Sequence, residues 1–322
     1  MMIKKYDIFE ENGLRVYRLA LTENGGESKE IFVCPDCGMN LLRYAVNGKN
    51  VVDYEAHKIK GDYTGTPLLY PTPNRVKNGV FKYKGRDYIQ ELNGKLITIH
   101  GLVIYYPFND IKVTENEDSI SISGKVNFDN NDLYKAFPFK SQLTIIYTLS
   151  AMGVTFNYEI TNFEEQEEIP FGIAIHPYFN KIDGEEGTFL TAQFEYSYVN
   201  TPELIPTGEL EMVKGTNRDV SEFTSLKGLE LDTVYTGNPS GSFAKVKYEK
   251  TGIMITLECS DEFEKLIIYT PKGQSYFCVE NQTCSTNAHN MYAEGNKELS
   301  GLKFVAPKSK FSGFVHFKTE KI

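Results

Sequence analysis

The sequence predicts an all-β chain folded as a large antiparallel β-sandwich. Three observations carry this expectation. Apolar and polar residues alternate with a period of two through most of the ordered-looking segments, the pattern of strands with one buried face. Turn-forming pairs recur between those segments. No segment sustains apolar residues at i, i+3, i+4 and i+7 beyond about two helical turns.

Taken in chain order, the elements read as follows. Ile120, Ile122, Val126 and Phe128 alternate around Gly124. Val154, Phe156, Tyr158 and Ile160 alternate with Thr155, Asn157, Glu159 and Thr161. Ala244, Val246 and Tyr248 do the same, and Ile253, Ile255 and Leu257 repeat it after a turn at Thr251-Gly252. Further turns are signalled at Asn24-Gly25-Gly26, Asn47-Gly48, Asn78-Gly79, Asn93-Gly94 and Lys272-Gly273. Short helical turns are expected near residues 129–136 and 223–226. With no linker, low-complexity tract or fixed repeat in the sequence, residues 1–322 are expected to form one domain.

Composition narrows the function. The chain has 322 residues, a formal net charge of −9, 21 Tyr, 21 Phe and no Trp. An acidic chain repels nucleic acid and anionic lipid, so neither is an expected partner. Aromatic rings suit strands and also stack on the apolar faces of sugars. No apolar leader follows Met1, no apolar run approaches membrane-spanning length, and five cysteines leave one unpaired. These features predict a cytoplasmic protein without a disulfide framework. Cys34 and Cys37 form a CxxC without a second ligand pair at matching spacing, so no metal is expected.

Four stretches break the strand-and-turn pattern. Residues 65–75 carry Pro67, Pro71 and Pro73, which cannot donate to a ladder; an ordered, extended loop is expected to deliver Asn74 and Arg75. The rigid donor fork of Arg75 suits vicinal hydroxyls, and equally a surface ion pair. His100 precedes Gly101 and can be a ligand contact or a structural histidine. His176 closes the apolar run from Phe171 and is stopped by Pro177, which places its imidazole at a rim. Glu280 follows the apolar run Tyr276–Val279, where a carboxylate is costly unless paired or functional.

Together these stretches resemble the aldose 1-epimerase family, the galactose mutarotases. "TPLLYPTPNRVKNGVF" at 66–81, "HPYF" at 176–179 and "VENQT" at 279–283 carry the resemblance. Pro206-Thr207-Gly208-Glu209 and Leu231-Asp232 add to it. The resemblance implies the family's galactose mutarotase-like supersandwich. It also implies that His176 acts as general acid at the ring oxygen and Glu280 as general base at the C1 hydroxyl. Arg75, His100 and Asp232 match residues that bind sugar hydroxyls, and Asn74 is their neighbour. The chain departs from the family in the residues around His100 and in Asn281, where a proline is frequent.

The implied reaction suits these residue types. Mutarotation opens a hemiacetal: the C1 hydroxyl loses a proton while the ring oxygen gains one. No carbon loses a proton and no hydride moves, so no cofactor is expected. Glu, ionised at neutral pH, and His, partly protonated, are expected to support each other's charged states. The expected substrate is a free aldohexose such as glucose or galactose. Alternatives are a hexose 6-phosphate epimerase, a non-catalytic sugar-binding protein on the same fold, and a glycoside hydrolase using Asp232 and Glu280.

Overall fold

The computed structural model describes residues 2–60, 64–238 and 244–322. Two antiparallel sheets dominate, of 13 and 9 strands among the described residues. The alternation read from the sequence is what builds the smaller sheet. In the hairpin of Ser141–Ser150 and Gly153–Asn162, Leu143, Ile145, Tyr147 and Leu149 point inward beside Val154, Phe156, Tyr158 and Ile160. Their polar neighbours face out, as a one-sided sheet requires. Gly124 lies within Ser119–Phe128, where a Cβ would fall 2.7 Å from the Met39 sulfur. The larger sheet lays Leu14–Thr22 and Ser28–Cys34 against this layer, and one apolar core takes residues from both sheets.

Most turn signals fall where hairpins need them, while Asn78-Gly79 lies in the 3-10 turn Lys77–Gly79. Asn47-Gly48 joins Asn40–Val46 to Lys49–Val52, and Asn93-Gly94 joins Glu91–Leu92 to Lys95–Leu96. All four residues have positive φ, the requirement of a two-residue type I′ turn. The expected helical turn near 129–136 is Asp132–Ala136, with the Asn131 side chain accepting the Tyr134 N–H at 2.9 Å. The one near 223–226 is absent. Thr224–Ser225 is instead a short strand on the edge of the 9-stranded sheet, pairing with Phe189 and Leu190. An open ladder edge outbids a helix too short to nucleate.

The helices Ala288–Ala293 and Lys297–Ser300 were not signalled by periodicity. They lie over the outer face of the larger sheet, where Met291 and Leu299 pack with Tyr198, Val234 and Ile267. None of the described helices is long and apolar enough to cross a membrane. None of the five cysteines is in a disulfide, and Cys34 and Cys37 are buried in a small apolar cluster with Leu14, Phe32, Leu42 and Ile59.

Candidate active site

The ladder register of the larger sheet sorts its side chains into two faces. Tyr178–Asn180, Tyr276–Gln282, Lys265–Tyr269 and Asp232–Thr236 are consecutive neighbours. Directly paired residues share a face, and so do residues two apart. Phe179, Phe277, Val279 and Ile268 therefore face the other sheet, and all are fully buried. The outer face carries three successive rows. One holds Ala174, Gln282 and Lys265; the next His176, Glu280 and Ile267; the third Tyr178, Cys278, Tyr269 and Asp232.

The proline loop holds this face in place. Its carbonyls accept although its proline nitrogens cannot donate. Gly172, His176 and Tyr178 donate their N–H groups to the carbonyls of Pro71, Pro67 and Gly65 at 2.7–3.0 Å, and Leu68–Leu69 pairs with Ala174–Ile175 between them. On its other side the loop receives the chain around His100. The His100 N–H bonds the Asn74 carbonyl at 2.8 Å and the Leu102 N–H bonds the Tyr70 carbonyl at 2.8 Å. Gly101 has φ +71°, and a Cβ there would stand 2.4 Å from the Tyr70 carbonyl oxygen. Only glycine fits, which is the physical content of the His-Gly pair. Asn74 and His100 themselves adopt positive φ, a conformation that concentrates at functional sites.

This scaffold brings the six candidate residues into one linked group. His176 Nε2 lies 3.3 Å from Glu280 Oε2. The His100 and His176 rings meet edge to face at 5.3 Å between centroids. The Asn74 Oδ1 accepts from the Arg75 backbone N–H at 2.7 Å and from its guanidinium at 3.3 Å. The charge of Arg75 acts on His100 and Asp232, and that of Asp232 on Glu280. Glu280 is buried in mid-strand rather than standing at a strand end: the ladder continues to Gln282 and the residue is 1 % exposed. Asp232, the first residue of its strand, is exposed.

Two neighbours of the pair carried no separate role in the sequence. Gln282 donates its side-chain N–H to Glu280 Oε1, leaving Oε2 toward His176. Tyr178 stacks on His176 at 4.6 Å. Each lies two residues from its partner in the same extended segment, so period 2 alone puts them on the same face.

Electrostatics departs from the sequence expectation of an ionised Glu280 beside a protonated His176. Burial pushes the Glu280 carboxyl up to about 8, opposed by the Gln282 hydrogen bond and assisted by Asp232. Burial pushes His176 down to about 4. For His100, burial first and then His176 and Arg75 bring it to about 3. Neighbouring groups take part of the water from Asp232 although its side chain reaches solvent, and this raises it against the pull of Arg75. Losing water disfavours both charged forms. Burial therefore biases the pair toward the neutral arrangement, in which the one proton sits on Glu280. The proton count equals that of the expected ion pair; its place differs.

This double-sheet build is the galactose mutarotase-like fold. A galactose mutarotase-like protein from Clostridium acetobutylicum superposes with a TM-score of 0.84 at 20% identity, over 100% of this chain and 99% of the other. Galactose 1-epimerase from Lactobacillus acidophilus NCFM gives 0.77 at 16%, over 100% and 99%. Residues 26–318 match the family model described as aldose 1-epimerase, and the chain belongs to that family. Among curated relatives, the chromosomal protein LacX of Lactococcus lactis subsp. lactis is 26% identical over 66% of this chain and 70% of its own length.

Proposed function

We propose that this protein is an aldose 1-epimerase acting on free aldohexoses, with His176 and Glu280 as its acid–base pair. The contact between His176 Nε2 and Glu280 Oε2, 3.3 Å long in a nearly dry row of the sheet, supports this reading most strongly. In the productive tautomer His176 carries the proton and gives it to the ring oxygen, while Glu280 takes the proton of the C1 hydroxyl. The resting tautomer reaches this state by moving one proton across the contact. Hydroxyls of a bound sugar stabilise both charged forms as they replace water. The aldehyde turns about C1–C2, closure reverses both transfers, and the pair ends with the one proton it began with.

Asn74, Arg75, His100 and Asp232 hold the sugar hydroxyls in this reading. Arg75 and Asp232 supply opposite charges, a donor fork and an acceptor. A free sugar is favoured over a 6-phosphate by the space beyond Arg75. It is a cavity of about 320 Å³ where Lys77 is accompanied by the acidic Glu203, so its net charge is a weak lure for a dianion. Both sheets share one core, which supports treating the chain as one catalytic domain.

Polarimetry on freshly dissolved α-glucose and α-galactose tests the proposal. Purified protein is expected to speed relaxation well above the buffer rate and to act more slowly on glucose 6-phosphate. A buffer-rate relaxation on every sugar refutes it, and release of phenol from aryl glycosides would favour a hydrolase instead.

A further inference from the structure

The strand Ile3–Glu11 forms one edge of the larger sheet. Among the described residues it pairs with Leu14–Thr22 on one side and with no strand on the other. Its hairpin turns at Asn12-Gly13, both with positive φ, and Glu11 stands opposite Leu14. The pair flanking a two-residue turn exchanges both backbone bonds, and such pairs alternate along an antiparallel ladder. Ile3, Lys5, Asp7, Phe9 and Glu11 therefore bond the neighbouring strand. Lys4, Tyr6, Ile8 and Glu10 turn their N–H and C=O groups to the open edge, a template for a further strand.

The side chains of those four residues share one face. It is the core-facing one, since Tyr6 pairs with Leu19 and Ile8 with Tyr17, both members of the main core. Yet Tyr6 is 50 % and Ile8 53 % exposed, so the apolar face of the sheet continues onto the edge strand and ends there in water. On the opposite face Phe9 is already covered, edge to face against Phe32 at 5.6 Å between centroids.

The order of residues along the edge selects its partner. Lys4, Tyr6, Ile8 and Glu10 run from a cation through two apolar side chains to an anion. Reversed, the series is its own complement. An antiparallel second copy centred on Asp7 sets Lys4 opposite the second copy's Glu10 and Tyr6 opposite its Ile8, twice over by symmetry. Opposite-charge and aromatic–β-branched cross-strand pairs each contribute about 0.2–1 kcal/mol. Lys4 gives two of its three donors to the carbonyls of Asn116 and Glu117, which holds its ammonium at this edge with a donor to spare. The two Asp7 side chains meet on the other face, where each lies 3.4 Å from the Arg18 guanidinium of its own chain. Charges ordinarily blunt an edge; here their sign reverses along the strand, so a parallel copy is repelled and an antiparallel one attracted.

We propose that Ile3–Glu11 is a self-association edge, through which two copies of this chain join their larger sheets into one continuous sheet. The two-fold axis stands normal to the sheet, so both copies present the His176 face on the same side. Four strands lie between this edge and Tyr178–Asn180, which places the contact about 24 Å from that segment at the spacing of neighbouring strands. One strand pair is a small interface, so association in the micromolar range is expected.

Sedimentation equilibrium of the full chain from about 1 to 200 µM covers that range. The wild type is expected to pass from monomer to dimer mass and no further. Ile8→Lys and Glu10→Lys, both at exposed positions, are each expected to weaken the dimer by about tenfold or more. The exchange Lys4→Glu with Glu10→Lys restores the complement and is expected to return the dimer. If Ile8→Lys does not fold, Glu10→Lys and the exchange decide the matter. A wild type that stays monomeric throughout, a dimer that survives the single substitutions, or an exchange that restores nothing overturns the proposal.

Discussion

At the residue scale, the pair's environment sets a pH window. With Glu280 near 8 and His176 near 4, the pair holds one proton between those values. Below about 4 both groups are protonated and no base remains. Above about 8 neither is protonated and no acid remains. A profile of kcat/KM against pH, which reports the free enzyme, is expected to be flat between them and to fall on both sides. The two limbs belong to the pair rather than to either residue. An alkaline limb near 6.5, the ordinary histidine value, would mean that burial does not govern the pair. The sequence disclosed which residues meet here but not the place of their proton. Residue types and motif order identify a His and a Glu; their desolvation depends on covering groups far away in the chain. Gln282 is the converse case, legible by spacing from Glu280 once the strand is known to run past it.

At the element scale, the proline loop and the helix Ala288–Ala293 position the segment that carries Asn74 and Arg75. Asn287 donates its backbone N–H to the Arg75 carbonyl at 2.8 Å, and its side chain accepts the Lys77 N–H at 3.1 Å. Asn290 accepts the Lys82 N–H and donates to the Val80 carbonyl, both at 2.9 Å. Asn290→Ala removes the partner of a part-buried donor and of a part-buried acceptor, at a cost of about 0.5–1.5 kcal/mol each. Urea unfolding should register that loss, and KM for sugar should rise more than kcat falls, since the clamp acts through the segment that carries Arg75. An unchanged urea midpoint would contradict it. The loop was legible because three prolines in seven residues admit few alternatives. The helix was not, because its six residues are too short for periodicity and are held by sheet and loop contacts rather than by propensity.

At the scale of the whole molecule, the face that carries His176 and Glu280 is backed by the core. Phe179 sits between the His176 segment and the opposite sheet, against Phe277 at 5.8 Å and Phe317 at 5.4 Å between centroids. Phe179→Ala is expected to cost about 3–5 kcal/mol, measured by denaturant unfolding; a loss below about 1 kcal/mol would mean that the sheets do not lean on this contact. The two-sheet architecture follows from period-2 patterning, since alternating strands must bury one face. The order of strands follows only in part: the turn at Lys272-Gly273 signals the hairpin of Lys265–Tyr269 and Tyr276–Gln282, but no local pattern encodes the pairing of Tyr276–Gln282 with the distant Tyr178–Asn180.

The central claim is that His176 and Glu280 together perform the epimerisation. Its most direct test is polarimetric turnover of a fresh α-anomer by the wild type, His176→Ala and Glu280→Ala, each variant checked for a native circular dichroism spectrum. The account predicts that each folded variant loses about 10²–10⁴-fold in kcat, the contribution of a positioned acid or base. A folded variant of either kind that turns over at the wild-type rate would contradict it.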